Sequence, residues 1–335
     1  MKHVVVQSDL REAVIRPPQL MNRFRELSIE DAQKYFGGPA DQVEVDCPAC
    51  GAGDAPVAFE KHGFKYRLCP GCSSLYVSPR PKAAKLAEYY RSSSAARYRA
   101  ERLARETSEA RRTTILRSNA YWMGRLIDET SRCASKKYGD FGTNYPVLFE
   151  EIGQLGLFDQ LFSIEPFTGL ADACRQAGAF VTETQPGGLA ALTAFEQLEH
   201  QFSPMEMLGR AREMLAVGGS LFLTTRTASG FDIQTLWDKA QYIYVPEHLN
   251  LPSIDGLEKL IEAAGFEVIE LSTPGQLDVE LTQAAAAADP TVRLPRFVEL
   301  LFKKRDDEAR EDFQAFLQKH RLSSHVRIAA MKKSD

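Results

Sequence analysis

The chain has 335 residues, 44% of them hydrophobic, which is enough for one large domain with appendages. A formal charge of −4 argues against a surface that attracts nucleic acid everywhere, although it leaves room for a local basic face. Only the short run Val4–Val6 precedes the first charged stretch, and nothing later approaches the length of an apolar membrane span, so neither signal peptide nor anchor is expected and the expected location is cytoplasmic.

Residues 1–45 read as an N-terminal extension, in which Ser28 is placed to cap a short helix ending at Gly37. Residues 46–82 hold two Cys-x-x-Cys pairs, Cys47 with Cys50 and Cys69 with Cys72. In a reducing compartment such pairs bind metal more often than they form disulfides, and two of them close a tetrahedral Zn²⁺ site with no open position. Thioredoxin-type redox chemistry uses a single pair inside a βαβ unit, so it does not fit the pattern. His62, between the pairs, reads as a surface or packing residue, while Cys133 and Cys174 read as small hydrophobes.

Residues 83–135 form a polar helical cap or linker. Between Arg91 and Lys137 there are twelve Lys/Arg against five Asp/Glu. That surplus is either a solvated helix face with Arg stems over apolar surface, or a face that binds a phosphorylated or nucleic-acid substrate. From residue 136 to 335 short apolar strands alternate with helices: "LFSIEP", "AFVTET", "LAALTAF", "SLFLTTRT", "FEVIELST" and, after a helical insertion at about 279–322, "HVRIAAMKK". Alternation of this kind specifies an α/β fold, a parallel sheet with helices on both faces. Gly218 and Gly219 read as a turn before the fifth strand.

In "YGDFGTNYPVLFEEIGQLG" a turn bearing Asp140, Gly142 and Asn144 joins a strand to a helix, which lets backbone N–H groups face a ligand. Glu165 ends the next strand, near the spacing at which a carboxylate meets a ribose diol. With "LAALTAFEQLEH", the "LAVGGSLFLTT" turn and strand, "GLEKLIEAAGFEVIEL" and the lone final strand, the chain from Asp140 to Lys333 resembles the class I S-adenosylmethionine-dependent methyltransferases. The cysteine ribbon, "YVSPRP" and "PEHLNLPS" extend the likeness to a bacterial subgroup often linked to surface-sugar or natural-product pathways.

The resemblance implies a doubly wound, mostly parallel seven-stranded sheet whose seventh strand is antiparallel, with S-adenosylmethionine as cofactor beside Zn²⁺. It implies that Asp140 and Gly142 hold the methionine part and that Glu165 accepts both ribose hydroxyls, with Glu183 and Phe195 near the adenine. Asn144 and Pro146 replace two glycines of the family's loop; Asn144 can take the left-handed backbone glycine usually fills, and its amide can bond the cofactor carboxylate. For a hydroxyl acceptor a base is needed, and His200 and His248 are the candidates, followed by Tyr242, Tyr244 and Glu247. The leading expectation is methyl transfer to a small molecule or sugar. An RNA methyltransferase that reads substrate through its ribbon, with nucleic acid as the less favoured partner, and an inactive zinc-ribbon interaction protein are the alternatives.

Overall fold

The computed structural model describes residues 10–130 and 133–333; the Val4–Val6 run lies outside them. A helix over Pro18–Phe36 opens on a proline pair, which costs it little because N-terminal N–H groups have no helical partner. Met21, Phe24, Ala32 and Phe36 recur at helical spacing and are buried. Ser28 therefore does not cap a helix. It sits inside this one, buried, with its hydroxyl donating to the Phe24 carbonyl at 2.9 Å.

The ribbon follows. β1 (Gln42–Val43) pairs antiparallel with β5 (Arg80–Pro81), and β2 (Val57–Lys61), β3 (Phe64–Leu68) and β4 (Leu75–Val77) form a meander. His62 and Gly63 turn the β2–β3 hairpin, both with positive φ (50° and 83°), as the tight turns that match strand twist require. His62 is thus an exposed turn residue, away from the sulfur cluster. The four-stranded sheet is completed by β11 (Asn250–Leu251), which pairs with the free edge of β4.

Helix runs through Ala83–Ser92 and then over 94–130, where π-helical turns at Arg99–Ala104 and Arg112–Leu116 interrupt the α-helix. The main sheet comprises β6 (Lys137–Phe141), β7 (Gln160–Ile164), β8 (Phe180–Thr182), β9 (Leu189–Phe195), β10 (Leu215–Arg226), β12 (Phe266–Ser272) and β13 (His325–Lys332). Their order is β12-β13-β10-β9-β6-β7-β8, and β13 runs antiparallel to both its neighbours. β9 is buried along its first six residues, the continuous apolar run expected of a strand covered on both faces. Gly218 and Gly219 lie inside β10, where the register to β9 shifts, and Gly219 passes so close to the Leu189 carbonyl that a Cβ would stand 2.7 Å away. The insertion consists of helices Asp278–Ala288, Arg296–Lys304 and Asp307–Lys319. No helix among the described residues is long and apolar enough to cross a membrane.

Candidate active site

Parallel strands open a crevice at their carboxyl ends, and the turn after β6 lies there. Asp140, at the end of β6, is fixed by the Thr193 hydroxyl at 2.5 Å, and burial pushes its carboxyl up to about 6. Gly142 takes φ +68°, whereas Asn144, buried beside it, keeps φ negative and so does not adopt the left-handed backbone expected of it. Asp140, Gly142, Asn144 and Phe195 line one small cavity together with Arg111, Tyr145, Glu196 and His325.

Those last four also line a larger cavity of about 180 Å³. Its roof is the N-terminal segment, through Leu10, Ile15, Arg16, Met21 and Phe24. The roof is pinned where the Tyr242 hydroxyl donates to Glu12 and the Glu12 N–H donates to Glu280 at 3.2 Å. One wall is the 94–130 helical stretch, from which Arg99, at the start of the first π turn, and Arg111, just before the second, line the cavity, and another is the Tyr242–His248 loop. Glu196, Glu199, Arg226 and His325 stand on the sheet edge beneath.

His200 and His248 both line this cavity as tilted neighbours with ring centroids 6.5 Å apart, and the Nδ1 atom of each is buried with no hydrogen-bond partner among the described residues. Burial, with Arg99 next, pulls His200 down to about 3; burial, with Arg226 next, pulls His248 well below its ordinary range. His325 is likewise lowered to about 4 by burial. All three imidazoles are neutral at physiological pH. The carboxylates diverge: burial outweighs the Thr225 hydroxyl at 2.7 Å and pushes Glu199 up to about 8, whereas Arg111 and its cationic neighbours overcome burial and hold Glu196 at about 2. Glu247 is ion-paired to Arg99 at 2.9 Å, and burial raises it.

The donor set fits S-adenosylmethionine at the tail end, provided one side chain moves. Gln197 donates to the Gly142 carbonyl at 2.9 Å and lies against the turn so closely that a Cβ on Gly142 would collide with it. Glu165, at the end of β7 with positive φ, is ion-paired to Arg210 and does not line either cavity; Glu183 is exposed beyond β8. The Glu165–Arg210 pair is more than a third exposed on both sides, and such pairs hold by only about 0–1 kcal/mol, so exchange for a diol is cheap.

The four ribbon cysteines form a separate centre. Their sulfurs lie within 4.8 Å of one another, with Cys47–Cys72 at 3.7 Å and Cys50–Cys69 at 3.5 Å. Zn–S bonds of about 2.3 Å in a tetrahedron put sulfurs about 3.8 Å apart, so the set fits Zn²⁺. The two knuckles repeat one geometry: Gly51 N–H donates to the Cys47 carbonyl at 2.8 Å and Ser73 N–H to the Cys69 carbonyl at 2.9 Å.

Sequence reasoning placed His200, His248, Tyr242, Tyr244 and Glu247 on elements that the cavity does bring together. It missed Arg16, Arg111, Glu196, Glu199, His325 and Arg327. The available signal was the antiparallel last strand, whose first residues must fall beside the carboxyl end of β10; His325 pairs with Arg226 and Arg327 with Thr224.

The sequence model for the methyltransferase domain family matches residues 96–271, more than half of the chain. No curated protein matches it. Among solved structures, geranyl diphosphate C-methyltransferase from Streptomyces coelicolor A3(2) is similar at 14% identity over 68% of this chain and 84% of its own, with a TM-score of 0.41. The cyclopropane synthase MmaA2 from Mycobacterium tuberculosis is similar at 13% identity over 63% and 84%, with a TM-score of 0.38. The YcgJ protein from Bacillus subtilis is similar at 13% over 64% and 100%, again at 0.38.

Proposed function

Because the chain belongs to the methyltransferase domain family, a family that uses S-adenosylmethionine, we propose that its acceptor is a small molecule or sugar taken into the roofed cavity. The observation that carries this reading is the cavity itself: about 180 Å³, lined on one side by the N-terminal segment and sharing Arg111, Tyr145, Glu196 and His325 with the neighbouring cavity at the turn that would hold the cofactor's tail. Four arginines outside the cavity support the same reading over RNA. Arg112 and Arg117 are taken up by Glu151, Arg102 by Glu106 and Arg125 by Glu129 and Glu270, which leaves that face less anion-seeking than its composition suggests.

When bound, the cofactor supplies an electrophilic methyl group on a sulfonium. Asp140, Gly142 and Asn144 would hold its methionine end, with Arg111 on the carboxylate, Phe195 alongside and Glu165 on the ribose. The protein's work is then orientation and proton management. His200 and His248 present unprotonated imidazoles whose Nδ1 atoms lack hydrogen-bond partners among the described residues, so either can accept the hydrogen bond of an acceptor hydroxyl and orient it. The burial that keeps them neutral also makes them weak bases, so the proton passes to one only as the bond to the methyl group forms and acidifies that hydroxyl. Glu199, protonated at neutral pH, keeps a second negative charge away from Glu196.

The test is incubation of purified protein with methyl-labelled S-adenosylmethionine and either a small-molecule extract or total RNA. Label is expected in the small-molecule fraction and should be lost in a His200→Asn, His248→Asn double variant. Label in RNA would overturn the acceptor assignment.

A further inference from the structure

Resting on the cavity reading above, we propose that the acceptor is an anion whose carboxylate or phosphate group is held by Arg16 and Arg327. Five arginines line the cavity, and three have assignments. Arg99 meets Glu247 at 2.9 Å, Arg226 meets Asp232 at 2.5 Å, and Arg111 lies 3.8 Å from Glu196 at the mouth of the cofactor-tail turn.

Arg16 and Arg327 remain. Arg327 is only 5% exposed, and its buried Nε has no hydrogen-bond partner among the described residues. Among the described residues its one polar contact is Nη1 to the Asn119 side-chain oxygen at 3.5 Å, and its guanidinium lies 4.9 Å from the centre of the Trp122 ring. Arg16 descends from the roof and stacks 4.9 Å over Tyr242. Among the described residues no carboxylate reaches either guanidinium within ion-pair distance. The acids that face the cavity are engaged elsewhere: Glu196 with Arg111, Glu247 with Arg99, and Asp278 with the Ser324 N–H and the Gln314 amide. Glu199 adds no charge at neutral pH.

A guanidinium is expensive to bury without a paired counterion; here the charges of Glu196 near Arg16 and Glu270 near Arg327 act from beyond ion-pair distance, and each guanidinium is stacked on an aromatic ring. Stacking occupies the face of the guanidinium and leaves its edge of N–H donors free, which is the arrangement that grips a carboxylate or phosphate with two parallel hydrogen bonds. Neither arginine lines the cofactor-tail cavity, so the cofactor's own carboxylate does not account for them. Asn119, which touches Arg327, lines both cavities, so the anion site borders the cavity at the cofactor-tail turn.

The experiment is calorimetric titration of the full-length, zinc-loaded protein, saturated with S-adenosylhomocysteine, with inorganic phosphate and separately with malonate at constant ionic strength in chloride. Saturable binding of at least one anion is expected, weakened roughly tenfold or more by Arg327→Gln and by Arg16→Gln. Phosphate ahead of malonate marks a phosphorylated acceptor, and the reverse marks a carboxylic acid. S-adenosylhomocysteine affinity is measured first in each variant and certifies the fold; Arg16→Gln, on the half-buried roof, carries the test should Arg327→Gln fail to fold. A parent that binds S-adenosylhomocysteine but prefers neither anion to chloride overturns the proposal and leaves the methyltransferase reading standing, as do variants with the parent's anion affinity. A parent that binds no S-adenosylhomocysteine takes both down.

Discussion

Gln197 occupies the approach to Gly142, and a cofactor tail must displace it. The bond lost is a neutral amide–carbonyl hydrogen bond, worth about 0.5–1.5 kcal/mol net. Gln197→Ala should therefore tighten S-adenosylhomocysteine binding about two- to tenfold in a calorimetric titration; unchanged or weaker binding would show that the side chain does not compete with the ligand. Glu199 makes a prediction in pH. Burial raises its folded value to about 8 from an ordinary 4.5, so its contribution is fully present below 4.5 and is lost as pH rises through 8. His200 and His325, lowered to about 3 and 4, act in the opposite sense: the unfolded chain takes up their protons first, so stability is lost as pH falls below 6.5. In urea unfolding between pH 6.5 and 8, Glu199→Gln should lose less stability than the parent, the gap growing by at most about 1.4 kcal/mol per pH unit. Parallel slopes would mean that Glu199 holds no proton there. None of this was legible from Gln197 or Glu199 as letters, because both the competing contact and the shifted pKa arise from burial that only the assembled fold creates.

At the level of elements, the sequence was most informative where periodicity and length agree. "LAALTAF" is β9 residue for residue, and the alternation of strands and helices stated the sheet. The basic helical stretch was legible as composition but not as direction. Arg99 opens one π turn and Arg111 immediately precedes the other, and both line the cavity; such interruptions of the α-helix are not announced by any residue spacing. The same stretch is tied to the sheet layer by Glu151, only 3% exposed, which accepts from Arg112 at 2.6 Å and Arg117 at 2.9 Å. Both arginines keep access to water, so the penalty for losing Glu151 falls below that of a fully buried pair. Glu151→Ala should cost about 1–3 kcal/mol of unfolding free energy in urea. A loss below about 0.5 kcal/mol would show that the helical stretch is anchored by its apolar face alone.

For the whole molecule, the ribbon is part of the catalytic body. Tyr66 of β3 donates to the His248 carbonyl at 3.0 Å, and Arg80, fully buried, bonds the Phe202 carbonyl at 2.7 Å. Cys69→Ser should lose its zinc by metal analysis and much of its soluble yield, since metal-binding free energy is folding free energy in such modules. Full zinc content in that variant would remove Cys69 from the centre. The cysteine spacing made the metal site legible; the attachment was not, because β11 is two residues long and carries no strand signal of its own.

That short strand has a consequence during synthesis. Ser74 and its partner Ser253 are 179 residues apart, so when the ribbon leaves the ribosome the segment that covers β4 has not yet been made. Zinc can close the knuckles early, but one edge of the meander then waits with unpaired backbone groups, Val77 N–H among them, until Leu249, Asn250 and Leu251 arrive. An uncovered strand edge is a template for pairing with the wrong chain. Nascent chains stalled before residue 249 should carry this edge open, and the short segment that follows His248 doubles as its cover.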